Sequence, residues 1–178
     1  MSLPYNTYPN IKSSPGGIPN AIGSVLAKGK YVCYLDQDNK WYNDHIESLY
    51  EEANSGEYDV IYSLRYFVKN GELLEDNFES LGPNRGVSRE GLIDTNCLAI
   101  NRMTSWNAFG GWCFNKGWQG DRFVLKNLKS MGATFKCTEK NTVLYTVNEP
   151  LLSSKAFWES GKEYLKNPEQ FRKIRYGG

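Results

Sequence analysis

The chain has 178 residues, enough for one domain with its own core and short for two. About 40% of it is hydrophobic and 23% charged, which excludes a disordered tail, a collagen-like fibre and a disulfide-stapled miniprotein. With 21 basic and 20 acidic side chains the net charge is +1, so no nucleic-acid partner held by bulk charge is expected.

Residues 1–17, with Pro4, Pro9, Pro15, Gly16 and Gly17, read as an irregular lead-in. The opening Met1-Ser2-Leu3-Pro4 lacks the basic and apolar stretches of a signal peptide, and no apolar run approaches the roughly 18 residues that cross a bilayer. A first helix is expected after Pro19, with Ile18, Ala21, Ile22, Val25 and Leu26 inward and Gly29 ending it. The apolar run from Tyr31 to Leu35 reads as a strand of a parallel sheet buried on both faces, and it stops at Asp36-Gln37-Asp38-Asn39. A second helix is expected from Asn43 or Asp44, with Glu47 closing a capping box, Tyr42, Ile46, Leu49, Tyr50 and Ala53 inward, and Gly56 at its end.

Asp59 to Ser63 reads as a strand, and Tyr66 to Lys69 as another that reverses at Asn70-Gly71, a strong hairpin dipeptide. Residues 75–91 read as a loop, and Leu92 to Ile100 as the next strand. Ala108-Phe109-Gly110-Gly111-Trp112 reads as a tight turn. Asp121 is expected to cap a third helix with Val124, Leu125, Leu128 and Met131 inside and Gly132 at its end. Two short strands, 133–137 and 142–147, flank Glu139-Lys140-Asn141, and a helical tail runs from about Ser154 to Leu165. Helices alternating with strands and then strands predominating predict an α/β fold with an antiparallel edge.

The four cysteines, Cys33, Cys97, Cys113 and Cys137, are too widely spaced for a zinc site and read as reduced thiols of a cytoplasmic protein. The single histidine, His45, is expected at the surface, and having only one leaves no room for a zinc hydrolase. Asp36 and Asp38 are the sharpest chemical feature. They sit where a buried strand runs out, the place where open α/β sheets bind ligands, and side chains two apart share a side. Two close carboxylates repel unless a cation lies between them, and Mg²⁺ or Mn²⁺ binds through such acids together with substrate phosphates. A solvated acidic turn explains the D-x-D pattern alone equally well.

Several segments in order widen the context. Asn20 to Gly29 followed by Lys30-Tyr31-Val32, the run from Leu35 to Tyr42, Ile93-Asp94-Thr95-Asn96-Cys97, Phe109-Gly110-Gly111-Trp112 and Gln119-Gly120-Asp121-Arg122 together resemble family 2 of the GT-A glycosyltransferases. The resemblance spans roughly residues 18–150 and leaves 151–178 as a C-terminal helical tail. It implies a GT-A-like mixed sheet with flanking helices, a nucleotide-sugar donor and a carbohydrate or lipid-linked saccharide acceptor.

Its implied roles are specific. Asp38 and Asp36 would hold Mn²⁺ or Mg²⁺, with Asn148 standing where the family often has a histidine. Asp121 would be the general base of an inverting transfer. Asp36, Asn20, Asp94, Gly110, Gly111 and Trp112 would meet the substrates, and Trp112 and Trp118 would either stack on a sugar or pack. The family's acidic pair is reduced here to Gly120-Asp121, and the base-binding β-α units that precede Asn20 in the family have no counterpart in the 19 residues before it, so the domain is expected to be N-terminally incomplete.

Two other readings compete with an active transferase. A haloacid-dehalogenase-type phosphatase also carries D-x-D after a buried strand, but Asn39-Lys40 follow here in place of the Thr or Val it needs. A degenerate module of the same fold that binds a carbohydrate or a partner chain is the other.

Overall fold

The structure is a computed structural model that describes residues 17–75, 93–113 and 120–147, together with Lys162 and Lys166. The expected loop at 75–91 and most of the C-terminal tail lie outside these, except that Glu75 closes a strand and Lys162 and Lys166 are helical. The fold is mixed α/β, with helices against one curving mixed sheet.

Helix α1 (Gly17–Leu26) forms where Pro19 favours a first turn, but it is rotated from the expected face. Gly17, Ala21 and Ser24 are buried, while Ile22, Val25 and Leu26 are exposed. The cause is polar. Ser24 Oγ donates to the Asn20 carbonyl at 2.8 Å and lies 2.7 Å from Tyr34 Oη, which is 2.9 Å from Ser105 Oγ. A buried tyrosine hydroxyl needs partners, and satisfying it turns the serine inward. Helix α2 (His45–Ser55) is rotated in the same way: His45, Ser48 and Leu49 are buried, and Ile46 and Tyr50 are exposed. Asp44 is its N-cap residue but makes no side-chain cap bond, so the expected capping box does not form.

Strand β1 (Tyr31–Cys33) is shorter than expected and pairs antiparallel with β5 (Leu98–Asn101) at one end of the sheet. The parallel arrangement appears elsewhere. The long strand β3 (Val60–Lys69) runs parallel to β6 (Phe135–Thr146) along one edge. On its other edge β3 pairs first with β5 over Val60 to Tyr62 and then with β4 (Glu72–Glu75) over Tyr66 to Lys69. The β3–β4 turn is the expected Asn70-Gly71 reversal, both residues at positive φ (50° and 82°) as a two-residue hairpin turn requires. Short strand β2 (Lys40–Trp41), not foreseen, adds to β6.

The expected strand over 92–100 is half turn. A 3₁₀ turn, Thr95–Cys97, precedes β5, because Asp94 accepts the backbone N–H of Asn96 and bends the chain. The turn falls near the segment of β3, Ser63 to Arg65, that neither β5 nor β4 covers. The two strands expected at 133–137 and 142–147 are one strand. Glu139 takes φ 59° and the β3–β6 register shifts nearby, so Glu139-Lys140-Asn141 is a bulge and no reversal.

Helix α4 (Gly110–Cys113) stands where a tight turn was expected, and α3 (Arg102–Ala108), not foreseen, precedes it. Helix α5 (Gly120–Ser130) buries Val124, Leu125 and Leu128 as expected, while Met131 lies outside and exposed. It ends in a Schellman motif: Gly132 at φ 74° donates to the Lys129 carbonyl and Ala133 to that of Leu128.

Gly111 is where α4 meets α5. A methyl group there would lie 2.9 Å from Val124 Cγ2 and 3.0 Å from its backbone N and Cα. Backbone cannot swing aside as a side chain can, so Gly111→Ala is expected to lose about 1–3 kcal/mol in denaturant unfolding.

Candidate functional site

Asp36 comes three residues after the end of edge strand β1, and its carbonyl closes a tight turn by accepting the N–H of Asn39 at 3.2 Å. Asn39, buried, accepts the N–H of Thr146 at 2.8 Å and so ties the D-x-D turn to the end of β6. The 3₁₀ turn supplies the other anchor. The Asp36 N–H donates to Asn96 Oδ1 at 2.6 Å, and Asn96 Nδ2 donates to Asp36 Oδ2 at 3.0 Å. Asn96 is itself held by Asp94 Oδ1, which accepts its N–H at 2.9 Å and its Nδ2 at 2.7 Å. Behind Asp94 stands Arg65 of β3, whose Nη1 donates to Asp94 Oδ2 at 2.5 Å with both side chains buried. The guanidinium lies 4.6 Å from the Phe67 ring and 4.9 Å from the Tyr145 ring, and the β3–β6 register places these two aromatics side by side.

Asp121 joins the same cluster electrically. Burial and the Asp94 charge push its carboxyl up to about 6, against the pull of its bond from the Arg122 N–H (2.7 Å) and the charges of Arg122 and Arg65. Asp36 is likewise pushed up to about 6, first by burial and then by Asp94, with the Asn96 bond opposing and Asp38 adding further repulsion. The helix N-terminus was expected to favour ionised Asp121 and weaken it as a base; burial and Asp94 outweigh that effect. Asp94 is thus the common neighbour: it pairs with the buried Arg65, and its charge raises both Asp36 on one side and Asp121 on the other.

The other expected site residues divide. Asp38 is exposed beside Asp36. Asp94 is buried with both oxygens engaged, so it supports Asp36 from behind and offers no face to an acceptor. Asn20 lines a groove of about 290 Å³ between α1 and β1 that Leu35, the neighbour of Asp36, also borders. Gly110 opens α4 and Gly111 is consumed by packing on α5. Trp112 is 2% exposed with its ring 5.2 Å from Tyr34, so it is a core residue and presents no face to a sugar. Trp118 and Asn148 lie outside the described residues.

Among the described residues no three acid, histidine or cysteine groups gather into a metal cage of protein alone. The donor set fits a different kind of site. Two carboxylates around one tight turn, one of them short of compensating charge, suit a hard divalent ion that completes its shell with diphosphate oxygens and water.

Arg65 and Asn96 were not picked out from the sequence as site residues. A lone charge in an otherwise apolar strand, Val60 to Val68, was the signal for Arg65, since such a charge is buried only with a partner. Asn96 carried no separate signal.

His45 is the opposite of the expected surface residue. It is fully buried, stacked on Trp41 at 4.4 Å, with Nδ1 2.8 Å from Thr142 Oγ1, and Nε2 has no hydrogen-bond partner among the described residues. Burial lowers its pKa to about 4 despite the nearby Asp44. It is the chain's one histidine, so its imidazole NMR signals are unambiguous, and they are expected to titrate near pH 4 and not near 6.5. The depressed value means that His45 favours the fold fully above about pH 6.5 and progressively less as pH falls towards 4, by about 3 kcal/mol in all.

The four cysteines are free thiols, as expected. No helix among the described residues is long and apolar enough to cross a membrane. A comparison with curated proteins gives no match. The family model described as glycosyl transferase family 2 matches residues 22–115, just over half of the chain, and covers the D-x-D turn, Arg65, the Asp94–Asn96 turn and the Gly110-Gly111 helix. The mixed sheet with flanking helices agrees with a GT-A-like fold. The chain belongs to glycosyl transferase family 2.

Proposed function

We propose that the protein transfers a sugar from a nucleotide-sugar donor to an acceptor hydroxyl with inversion, in a reaction that depends on a divalent metal. Family membership implies glycosyl transfer between such a donor and an acceptor in general. The observation that supports the finer reading is that Asp36 and Asp121, from separate segments, both feel the charge of the buried Asp94, with Asp38 exposed beside Asp36. Asp121 accepts the proton of the acceptor hydroxyl. The oxygen so freed bonds to the anomeric carbon from the side opposite the diphosphate, whose bond to that carbon breaks, and the configuration inverts. With a carboxyl near 6, Asp121 is mostly ionised at pH 7 yet more basic than a solvent-exposed aspartate, which suits a general base. Asp36 and Asp38, with Asn148 as a third candidate, would hold the metal, and Mn²⁺ or Mg²⁺ there would supply positive charge to the departing diphosphate. Four reduced thiols suit work in the cytoplasm.

The test is thermal. Mn²⁺ together with a nucleoside diphosphate is expected to raise the unfolding midpoint of the wild-type protein, since a ligand that binds only the native state stabilises it, and Asp38→Ala is expected to abolish that shift. The same shift in Asp38→Ala would remove Asp38 from metal binding. No metal-dependent shift in the wild type would favour a module that binds carbohydrate without catalysis.

A further inference from the structure

We propose that Asn96 is the positioning residue that sets the D-x-D turn for metal binding, acting through Asp36 and held in turn by the buried Asp94–Arg65 pair. The inference rests on the metal reading above. Its basis is the two-point contact with Asp36: one amide group accepts from the Asp36 N–H at 2.6 Å and donates to the Asp36 carboxylate at 3.0 Å. That fixes both the backbone and the side chain of a residue that lies outside any strand or helix. Only one orientation of the amide works. Flipped, its NH₂ would face the Asp36 N–H and its oxygen would face the carboxylates of Asp36 and Asp94, so the network itself assigns the atoms.

Asn96 cannot swing away, because it is fully buried and Asp94 holds its N–H and its Nδ2. Its backbone carbonyl also accepts Trp41 Nε1 at 2.9 Å, which fastens the chain leaving the D-x-D turn to the same residue. Arg65 fixes the far oxygen of Asp94. The order from the interior outward is therefore Arg65, Asp94, Asn96, Asp36, and only the last is offered to a ligand. Partners behind a metal ligand orient it, and their loss typically weakens metal binding 10–100-fold. Asparagine suits this place because it donates and accepts at once and adds no charge to a cluster already rich in acid.

Two measurements on the full chain test the role. The first needs no metal. The Asp36 amide is expected to exchange slowly with deuterium in the wild type and about tenfold or more faster in Asn96→Ala, while the amides of Leu98 and Ile100 in β5 keep their protection. Asn96→Asp keeps an acceptor but sets a carboxylate oxygen against those of Asp36 and Asp94, so it is expected to exchange fast as well at pH 7. The second measurement is Mn²⁺ binding by paramagnetic resonance, with Mn²⁺ alone as the probe; Asn96→Ala is expected to bind about 10–100-fold more weakly. Should the alanine variant not fold, Asn96→Ser, too short to span to Asp36, replaces it.

Unchanged exchange at Asp36 in the alanine variant would overturn the proposal, as would slow exchange in Asn96→Asp at pH 7. Wild-type protein that binds Mn²⁺, with an alanine variant that binds it equally well, would overturn the role of Asn96 alone. Wild-type protein that binds no Mn²⁺ would overturn the metal reading and this role with it.

Discussion

Asp121→Asn is expected to lower kcat by about 10²–10⁴, the range that a positioned general base contributes, while the thermal midpoint at pH 7 stays level or rises. The two halves of this expectation come from the same carboxylate. Its pKa is raised to about 6 because burial and Asp94 disfavour its charge. A carboxyl raised above its unfolded value of about 3.8 favours the fold fully below that pH and loses this contribution as pH rises through 6. At pH 7 the ionised Asp121 is therefore a strain on the fold, and a neutral asparagine of the same shape relieves it. A residue that weakens the fold where it stands is accounted for by what it does there. Wild-type kcat/KM is expected to fall at least tenfold per unit below pH 6, and that of the asparagine variant to fall less steeply, because only Asp36 still titrates there. An asparagine variant of full activity would take Asp121 out of the mechanism.

The same pH window holds an opposing effect. Asp36 behaves as Asp121 does, so the fold gains from both acids as pH falls from 6 towards 4, while over that range it loses the contribution of His45. A melting curve against pH sums these contributions and can look flat. The NMR titration of His45 separates them, because it reads one group.

What the sequence made legible follows a physical line. Local chemistry was readable: the Asn70-Gly71 hairpin, the end of α5 at Gly132, and the abrupt stop of an apolar run at Asp36 depend on residues close in the chain. The inward faces of α1 and α2 were misread because apolar spacing assumes that cores are apolar. Here the buried positions include Ser24, His45 and Ser48, each with a hydrogen bond that makes burial tolerable. Asp36 and Asp38 were read as a pair and Asp121 apart from them, but the buried Asp94 that influences both Asp36 and Asp121 is held by β3, whose Arg65 is 29 residues away in sequence. The bulge at Glu139 looked like a turn because both need the same polar, φ-tolerant residues; only the partner strand tells them apart.

Arg65→Met is expected to be the most damaging single change to stability, at about 3–5 kcal/mol, because it leaves Asp94 buried as an unpaired charge. For a chain of this size that is a fall of about 10 °C in Tm. Methionine keeps the aliphatic stem but not the guanidinium that lies over Phe67 and Tyr145, so the loss reports the pairing with Asp94 together with those ring contacts. The double variant Arg65→Met with Asp94→Leu is expected to recover a substantial part, since replacing both partners removes the desolvated charge along with its counter-ion. Recovery in the double variant with no metal binding would separate the two duties of the pair, holding the fold and holding Asn96. The single variant also removes one of the positive charges that restrain Asp121, so any activity that survives should lose its acid limb at a higher pH than the wild type. A single variant as stable as the wild type would mean that Arg65 and Asp94 do not form the buried pair on which the arrangement of the acids depends.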